Sequence, residues 1–257
     1  MTVQHAITRL PGSNFAEGLT TAQMGSPDYS LTLHQHQAYC QALQQCGLQL
    51  TELGPLEDYP DSTFIEDVAV LLPGCAVITR PGASSRQGEI EQIRPLLSER
   101  FPRLEAIQAP GTMDGGDICE AGSHFFIGIS HRTNEEGARQ LAAILGSLGF
   151  TASTVDIRQE REILHLKSGI ACLEGGRLVL IPSLSGRAEF VGWPRVVTTE
   201  EEAYGANCVQ VNDFVLMASG FPRLQKDLLD LGYHPLVLDM SEYRKMDGGL
   251  SCLSLRY

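Results

Sequence analysis

Polar and apolar positions along this chain change period in a recurring order. Apolar residues fall at helical spacing in "HQHQAYCQALQQCGLQLTEL" (34–53), "SSRQGEIEQIRPLLSERFPRLEAI" (84–107), "NEEGARQLAAILGSLGFTASTVD" (134–156) and "PRLQKDLLDLGYHPLVLDM" (222–240). Each pattern breaks and then continues as a short extended run. Gly47, Gly149 and Gly232 stand where a left-handed residue ends a helix, and Pro102 takes that place in the second segment. A fifth, weaker segment, "SGRAEFVGWPRVVTT" (185–199), predicts a shortened helix before its strand.

Hairpins precede four of these helices, read from β-branched and aromatic runs around turn residues. The turns fall at Pro73-Gly74, Gly122-Ser123, Gly175-Gly176 and Asn212-Asp213. The remaining hairpin is absent as a contiguous piece, yet "VQHAITRL" near the start and "SCLSLRY" at the end are both strands without partners. Pairing them completes a fifth strand–strand–helix–strand unit. The 257 residues then divide into five units of about 51, and an array completed by its own ends leaves no open sheet edge. The expected fold is a single α/β domain over residues 1–257, a closed five-bladed propeller of ββαβ repeats with pseudo-fivefold symmetry.

That repeat gives otherwise scattered polar residues a common position. "FIED" (64–67) and "MDGGD" (113–117) each precede a hairpin, "ILHLKSG" (163–169) precedes the next, and "MDGGLSC" (246–252) leads into the closing strand. Singly they have bland readings: Asp114 as a turn former, His165 as a core histidine, each cysteine as a small hydrophobe. Brought to one axis they predict a cavity holding carboxylates, an imidazole and a thiol. There a cysteine nucleophile with a neighbouring imidazolium can attack an electrophilic carbon and protonate a leaving group. Glu66 and Asp67 suit a planar guanidinium, and Arg86 and Arg132 suit a carboxylate at the ligand's far end. Arginine derivatives have both ends.

Composition narrows the partners. A formal net charge of −12 with no cluster of Lys or Arg disfavours nucleic acid and anionic membranes. No apolar run reaches the roughly 18–20 residues of a membrane span, and the first residues lack a signal-peptide pattern. Seven cysteines without a C-x-x-C pair read as free thiols of a cytoplasmic protein. The expected partner is a small molecule, with no metal and no cofactor. The assembly state stays open, a homodimer included.

The segments "PDSTFIEDVAV", "VITRPGASSRQGE", "APGTMDGGDI", "FFIGISHRTNEEGA", "LHLKSG", "GANC" and "SEYRKMDGGLSC" together resemble the dimethylarginine dimethylaminohydrolases, in the same order and over nearly the whole chain. The resemblance implies the same five-bladed propeller. It also implies hydrolysis of Nω-methylated arginines to citrulline and methylamine or dimethylamine through a covalent cysteine intermediate. It assigns Cys252 as nucleophile, His165 as general acid/base and Asp114 as the carboxylate paired with that histidine. It places Asp61, Glu66, Asp67, Arg86 and Arg132 around the substrate, and gives Leu19 and Met246 substrate contacts through their carbonyls. Arginine deiminases carry His-x-Asp at the catalytic histidine, where this chain has His165-Leu166-Lys167. The missing carboxylate leaves room for an N-methylated amine. With no second cysteine near Cys252, zinc at the thiol is expected to be inhibitory at most. Competing expectations are an arginine deiminase-type hydrolase and a non-catalytic binding propeller.

Overall fold

The computed structural model describes residues 2–257. It contains fifteen strands: β1 (His5–Arg9), β2 (Gln49–Leu53), β3 (Ala69–Leu72), β4 (Cys75–Ile78), β5 (Arg103–Ala106), β6 (Ile118–Ala121), β7 (His124–Ile129), β8 (Thr151–Asp156), β9 (Ile170–Leu173), β10 (Arg177–Leu180), β11 (Arg195–Val197), β12 (Val209–Val211), β13 (Phe214–Ala218), β14 (His234–Leu238) and β15 (Leu255–Arg256). The helices are α1 (Tyr29–Gln45), α2 (Ile90–Arg100), α3 (Glu135–Ser147), α4 (Pro222–Asp230) and the single-turn α5 (Ser241–Arg244).

Strands gather into five three-stranded sheets of one plan, β15-β1-β2, β3-β4-β5, β6-β7-β8, β9-β10-β11 and β12-β13-β14. In each, the first pair is antiparallel and the second parallel. A hairpin joins the first pair in four sheets, and a crossover of the required length joins the second. In the remaining sheet the antiparallel partners are the two ends of the chain, with Ala6 opposite Arg256 and Ile7 opposite Leu255. The expected pairing of terminal strands is therefore present.

Local chemistry explains the boundaries. Gly47, Gly149 and Gly232 end α1, α3 and α4 with φ of 91°, 85° and 86°, a region that costs a side-chain-bearing residue energy. Asp28 and Asn134 cap α1 and α3, accepting from the N–H groups of Leu31 and Gly137. The crossover at 185–199 is weaker than expected. Only 3-10 turns, Pro182–Leu184 and Ala188–Phe190, precede β11. Pro182, Gly186, Gly192 and Pro194 interrupt any longer helix there.

Apolar packing runs from sheet to sheet. Leu141 and Leu145 of α3 lie against Phe125 and Ile127 of β7, in a cluster that takes in Val70 and Val77 of the preceding sheet. Each such side chain contributes roughly 1.5–3 kcal/mol by leaving water. Polar clasps add a second link. Asp67 accepts from the N–H of Gly116, Asp117 from Leu166 and Asn207 from Ser251, at 2.8, 2.9 and 3.0 Å. These acceptors stand 49, 49 and 44 residues before their donors, so three of the repeats hold a segment of a later one. Among the described residues no helix is long and apolar enough to cross a membrane.

Candidate active site

The turns that lead into the first strands of the sheets converge on a small cavity. Its walls include Leu19, Asp61, Asp67, Arg86, Arg132, His165, Met246 and Cys252, with Phe64 and Asp247 beside them. Eight of the ten residues expected in the site thus meet at one place.

His165 Nε2 lies 3.0 Å from Asp114 Oδ2, both groups buried. Asp114 is fixed in turn, accepting from the Gly82 N–H at 2.8 Å, while its own N–H donates to Thr133. Gly116 passes so close to the imidazole that an added Cβ would lie 2.8 Å from His165 Nδ1 and from Asp67 Oδ1. Only glycine fits there, which accounts for part of the Met-Asp-Gly-Gly motif. Burial alone would lower the His165 pKa. The charges of Asp67, Asp117 and Asp114 and the Asp114 hydrogen bond outweigh it and raise the value to about 9. The resting side chain is an imidazolium.

Cys252 sits in the 3-10 turn Ser251–Leu253 just before β15. Burial, then the charges of Glu66 and Asp67, push its thiol up to about 12. The resting sulfur is therefore protonated, and a cation placed against it would favour the thiolate. The second Met-Asp-Gly-Gly copy also marks a close approach, since a Cβ on Gly249 would lie 2.4 Å from Asn207 Oδ1. Cys119, the cysteine of the first copy, is buried in the apolar core, and burial raises its pKa.

Adjacent carboxylates take opposite sides. Asp67 faces the cavity and pairs with Arg86 at 2.6 Å. Burial would raise its pKa, but the charges of His165 and Arg86 and its hydrogen bonds bring it to about 2. Glu66 does not line this cavity. It pairs with Lys167 at 2.5 Å and lies 3.6 Å from Arg256, on the wall of a second, wider and open cavity. The two residues share a 3-10 turn, Ile65–Val68, in which neighbouring side chains point about 120° apart. The expected joint grip of Glu66 and Asp67 on one guanidinium is not the arrangement found.

Arg86 also differs from its expected role. Its guanidinium is forked onto Glu89 at 2.9 and 2.8 Å and binds Asp67, and it donates to the carbonyls of Asp61 and Phe64. Nearly all its donors are engaged, which makes it the anchor of Asp67. Arg132 makes no ion pair among the described residues, and its charge acts on Asp61. Asp61 accepts from the Leu19 N–H at 3.0 and 3.2 Å, and burial raises its pKa. Leu19 thereby hangs over the cavity by its N–H, which leaves its carbonyl unengaged by Asp61. Met246 is buried in the wall.

Two residues escaped the sequence reading. Asp117 is fully buried, accepts from Ser130, Thr133 and the Leu166 N–H, and so fixes the segment that carries His165. Its signal was present, because "EDVAV" and "GDICE" each place an Asp one or two residues before the first strand of a hairpin. Asp247 has positive φ at 56°, as a turn residue does. Its carboxylate also accepts from Thr21 N–H and the hydroxyls of Thr20 and Thr21, tying down the loop that bears Leu19. Donor atoms of Asp67, Asp114 and His165 lie within 4.8 Å of one another. They are already bound to each other, to Arg86 and to backbone N–H groups, so they form a hydrogen-bonded network rather than an open ligand set.

The family model described as arginine deiminase matches residues 55–210. The N(G),N(G)-dimethylarginine dimethylaminohydrolase of Pseudomonas aeruginosa is 46% identical over 99% of both chains. That of Streptomyces coelicolor is 34% identical over 100% of this chain and 98% of its own. A solved structure of the Pseudomonas aeruginosa enzyme, a mutant complexed with citrulline, superposes with a TM-score of 0.97 at 44% identity over 100% of each chain. With 46% identity over 99% of both chains and a shared fold, this protein belongs to the dimethylarginine dimethylaminohydrolase family.

Proposed function

We propose that this chain hydrolyses Nω,Nω-dimethyl-L-arginine, and the monomethyl form, to L-citrulline and dimethylamine or methylamine. The observation that carries this reading is the meeting of Cys252, His165–Asp114, Asp67 and the unpaired Arg132 around one cavity. The guanidinium lies against Asp67, and Arg132 takes the substrate carboxylate. Carbonyls of Leu19 and Met246 accept from its amine or guanidinium N–H groups. Arg86 acts from behind, holding Asp67 ionised.

Binding a cation beside the Cys252 thiol shifts it toward thiolate, and its proton leaves to solvent. The sulfur attacks the central guanidinium carbon. The His165 imidazolium donates its proton to the methylated nitrogen, the C–N bond breaks, and dimethylamine departs. This leaves a thiouronium on Cys252. Neutral His165 next accepts a proton from water as the oxygen bonds to the same carbon. Breaking the C–S bond releases citrulline and thiolate, which regains its proton. No redox cofactor enters. Lys167, which stands where a deiminase has its second carboxylate, is turned to Glu66 instead, so unmethylated arginine lacks an anchor.

The five like sheets and the terminal β1–β15 pair support a closed five-bladed propeller, one domain across 1–257. Seven free cysteines fit a reducing, cytoplasmic setting, and the acidic balance fits a small cationic substrate without nucleic acid or membrane partners. The test is citrulline formation from dimethylarginine, arginine and agmatine side by side. Turnover confined to the methylated substrates and abolished in Cys252→Ser is expected. Arginine as the best substrate would replace this reading with a deiminase.

A further inference from the structure

A second group of strong ligand atoms lies in the first sheet, sharing no residue with the catalytic cavity. His36 and Cys40 stand one turn apart on the buried face of α1, above β2, where Glu52 is the register partner of Thr8 on β1. His36 Nδ1 is 3.7 Å from Cys40 Sγ. Glu52 Oε2 is 3.8 Å from each of them. Cys40 Sγ is within sulfur hydrogen-bond reach of both partners and of Thr8 Oγ1 at 3.8 Å, whereas His36 Nε2 is buried with no partner. Buried polar groups are seldom left this way.

The spacing suits a metal ion. A tetrahedron of this edge has its centre at about 0.61 of the edge, roughly 2.3 Å from each corner, which matches the zinc–sulfur length and exceeds those to nitrogen and oxygen by only about 0.1–0.3 Å. We propose that His36, Cys40 and Glu52 bind a divalent ion of the zinc type, with water in the fourth position. The sulfur and imidazole donors select against magnesium and calcium, which prefer all-oxygen sets. Cys40 releases its thiol proton to solvent as the S–metal bond forms, and thiolate and carboxylate together neutralise the ion. His36 and Cys40 are buried, while the Glu52 side chain is 46% exposed, which provides the way in. The bound ion would pin α1 to β2 across the turn at Gly47, in the sheet that joins the chain's two ends. This departs from the sequence expectation of no metal.

Cobalt(II) titration of the Cys252→Ser protein tests the site without the catalytic thiol. One equivalent should bind with a thiolate-to-cobalt charge-transfer band and the intense visible bands of four-coordination. Adding Cys40→Ser should abolish the charge-transfer band. Glu52→Gln, at a half-exposed position that leaves the fold intact, should weaken binding by at least about tenfold. Citrulline formation by Glu52→Gln in metal-free buffer, with Cys252 intact, should equal that of the unaltered chain. Absence of the band in the Cys252→Ser protein, its survival after Cys40→Ser, or unchanged affinity in Glu52→Gln would each overturn the site.

Discussion

Asp117 holds the backbone N–H of Leu166 at 2.9 Å, and that single bond sets the peptide adjoining His165. Asp117 never reaches the cavity, yet its charge is one of those that raise the His165 pKa. Asp117→Asn should therefore lower activity through position and charge together. Its basic pH limb should shift downward from that of the unaltered protein, a change that a merely structural role would not produce. An unmoved limb with reduced activity would leave Asp117 a packing residue only.

His165 at about 9 and Cys252 at about 12 define the pH behaviour of the free protein. kcat/KM should fall as pH rises through about 9, where the proton needed by the leaving amine is lost. Ultraviolet thiolate absorbance from Cys252 should be absent at neutral pH. A basic limb near the ordinary histidine value would contradict the imidazolium assignment.

The same shift bears on stability. A histidine raised on folding contributes stability that is fully present below its ordinary value of 6.5 and is lost as pH rises through about 9. Denaturant midpoints measured across that window should decline less steeply in His165→Asn than in the unaltered protein.

Arg86 is buried between Asp67 and Glu89, so its removal leaves two buried carboxylates without their shared cation. Arg86→Ala should cost about 3–5 kcal/mol of stability, read as a lowered unfolding midpoint. Arg86→Lys, which cannot reproduce the fork onto Glu89, should recover only part of it. If Arg86 instead served chiefly as a clamp on substrate, the midpoint would hold and KM alone would rise.

Asp247 restrains the loop at Thr20 and Thr21. Asp247→Asn keeps a side chain tolerant of positive φ but weakens the clasp. KM should rise several-fold with kcat largely kept, because the reacting groups are untouched. A loss confined to kcat would place Asp247 in the chemistry.

Much of the fold was legible because its signals are local. Gly47, Gly149 and Gly232 mark helix ends through a backbone angle that few other residues tolerate, and the turns at Gly74, Gly122 and Asn212 likewise show positive φ. The terminal pairing was legible by subtraction, as two strands without neighbours. The gathering of His165, Asp114, Asp67 and Cys252 followed from their shared place in the repeat. Contacts decided by direction or distance were not legible. Glu66 and Asp67 are adjacent in sequence, and only the tight 3-10 turn sends them to opposite cavities. The commitment of Arg86 depends on Asp67, 19 residues away, and the clasp of Asp247 on Thr21 spans 226 residues.

The β1–β15 pair has a kinetic consequence. Cys252 precedes a strand made after nearly all of these 257 residues, and its partner strand is made near the beginning. Contacts this distant in sequence are slow to form, because the closing of so long a loop comes before any reward. On the way to the folded state the Cys252 thiol, the proposed nucleophile, should therefore gain its pocket only when these two strands meet. Reactivity of Cys252 should appear among the last events of folding.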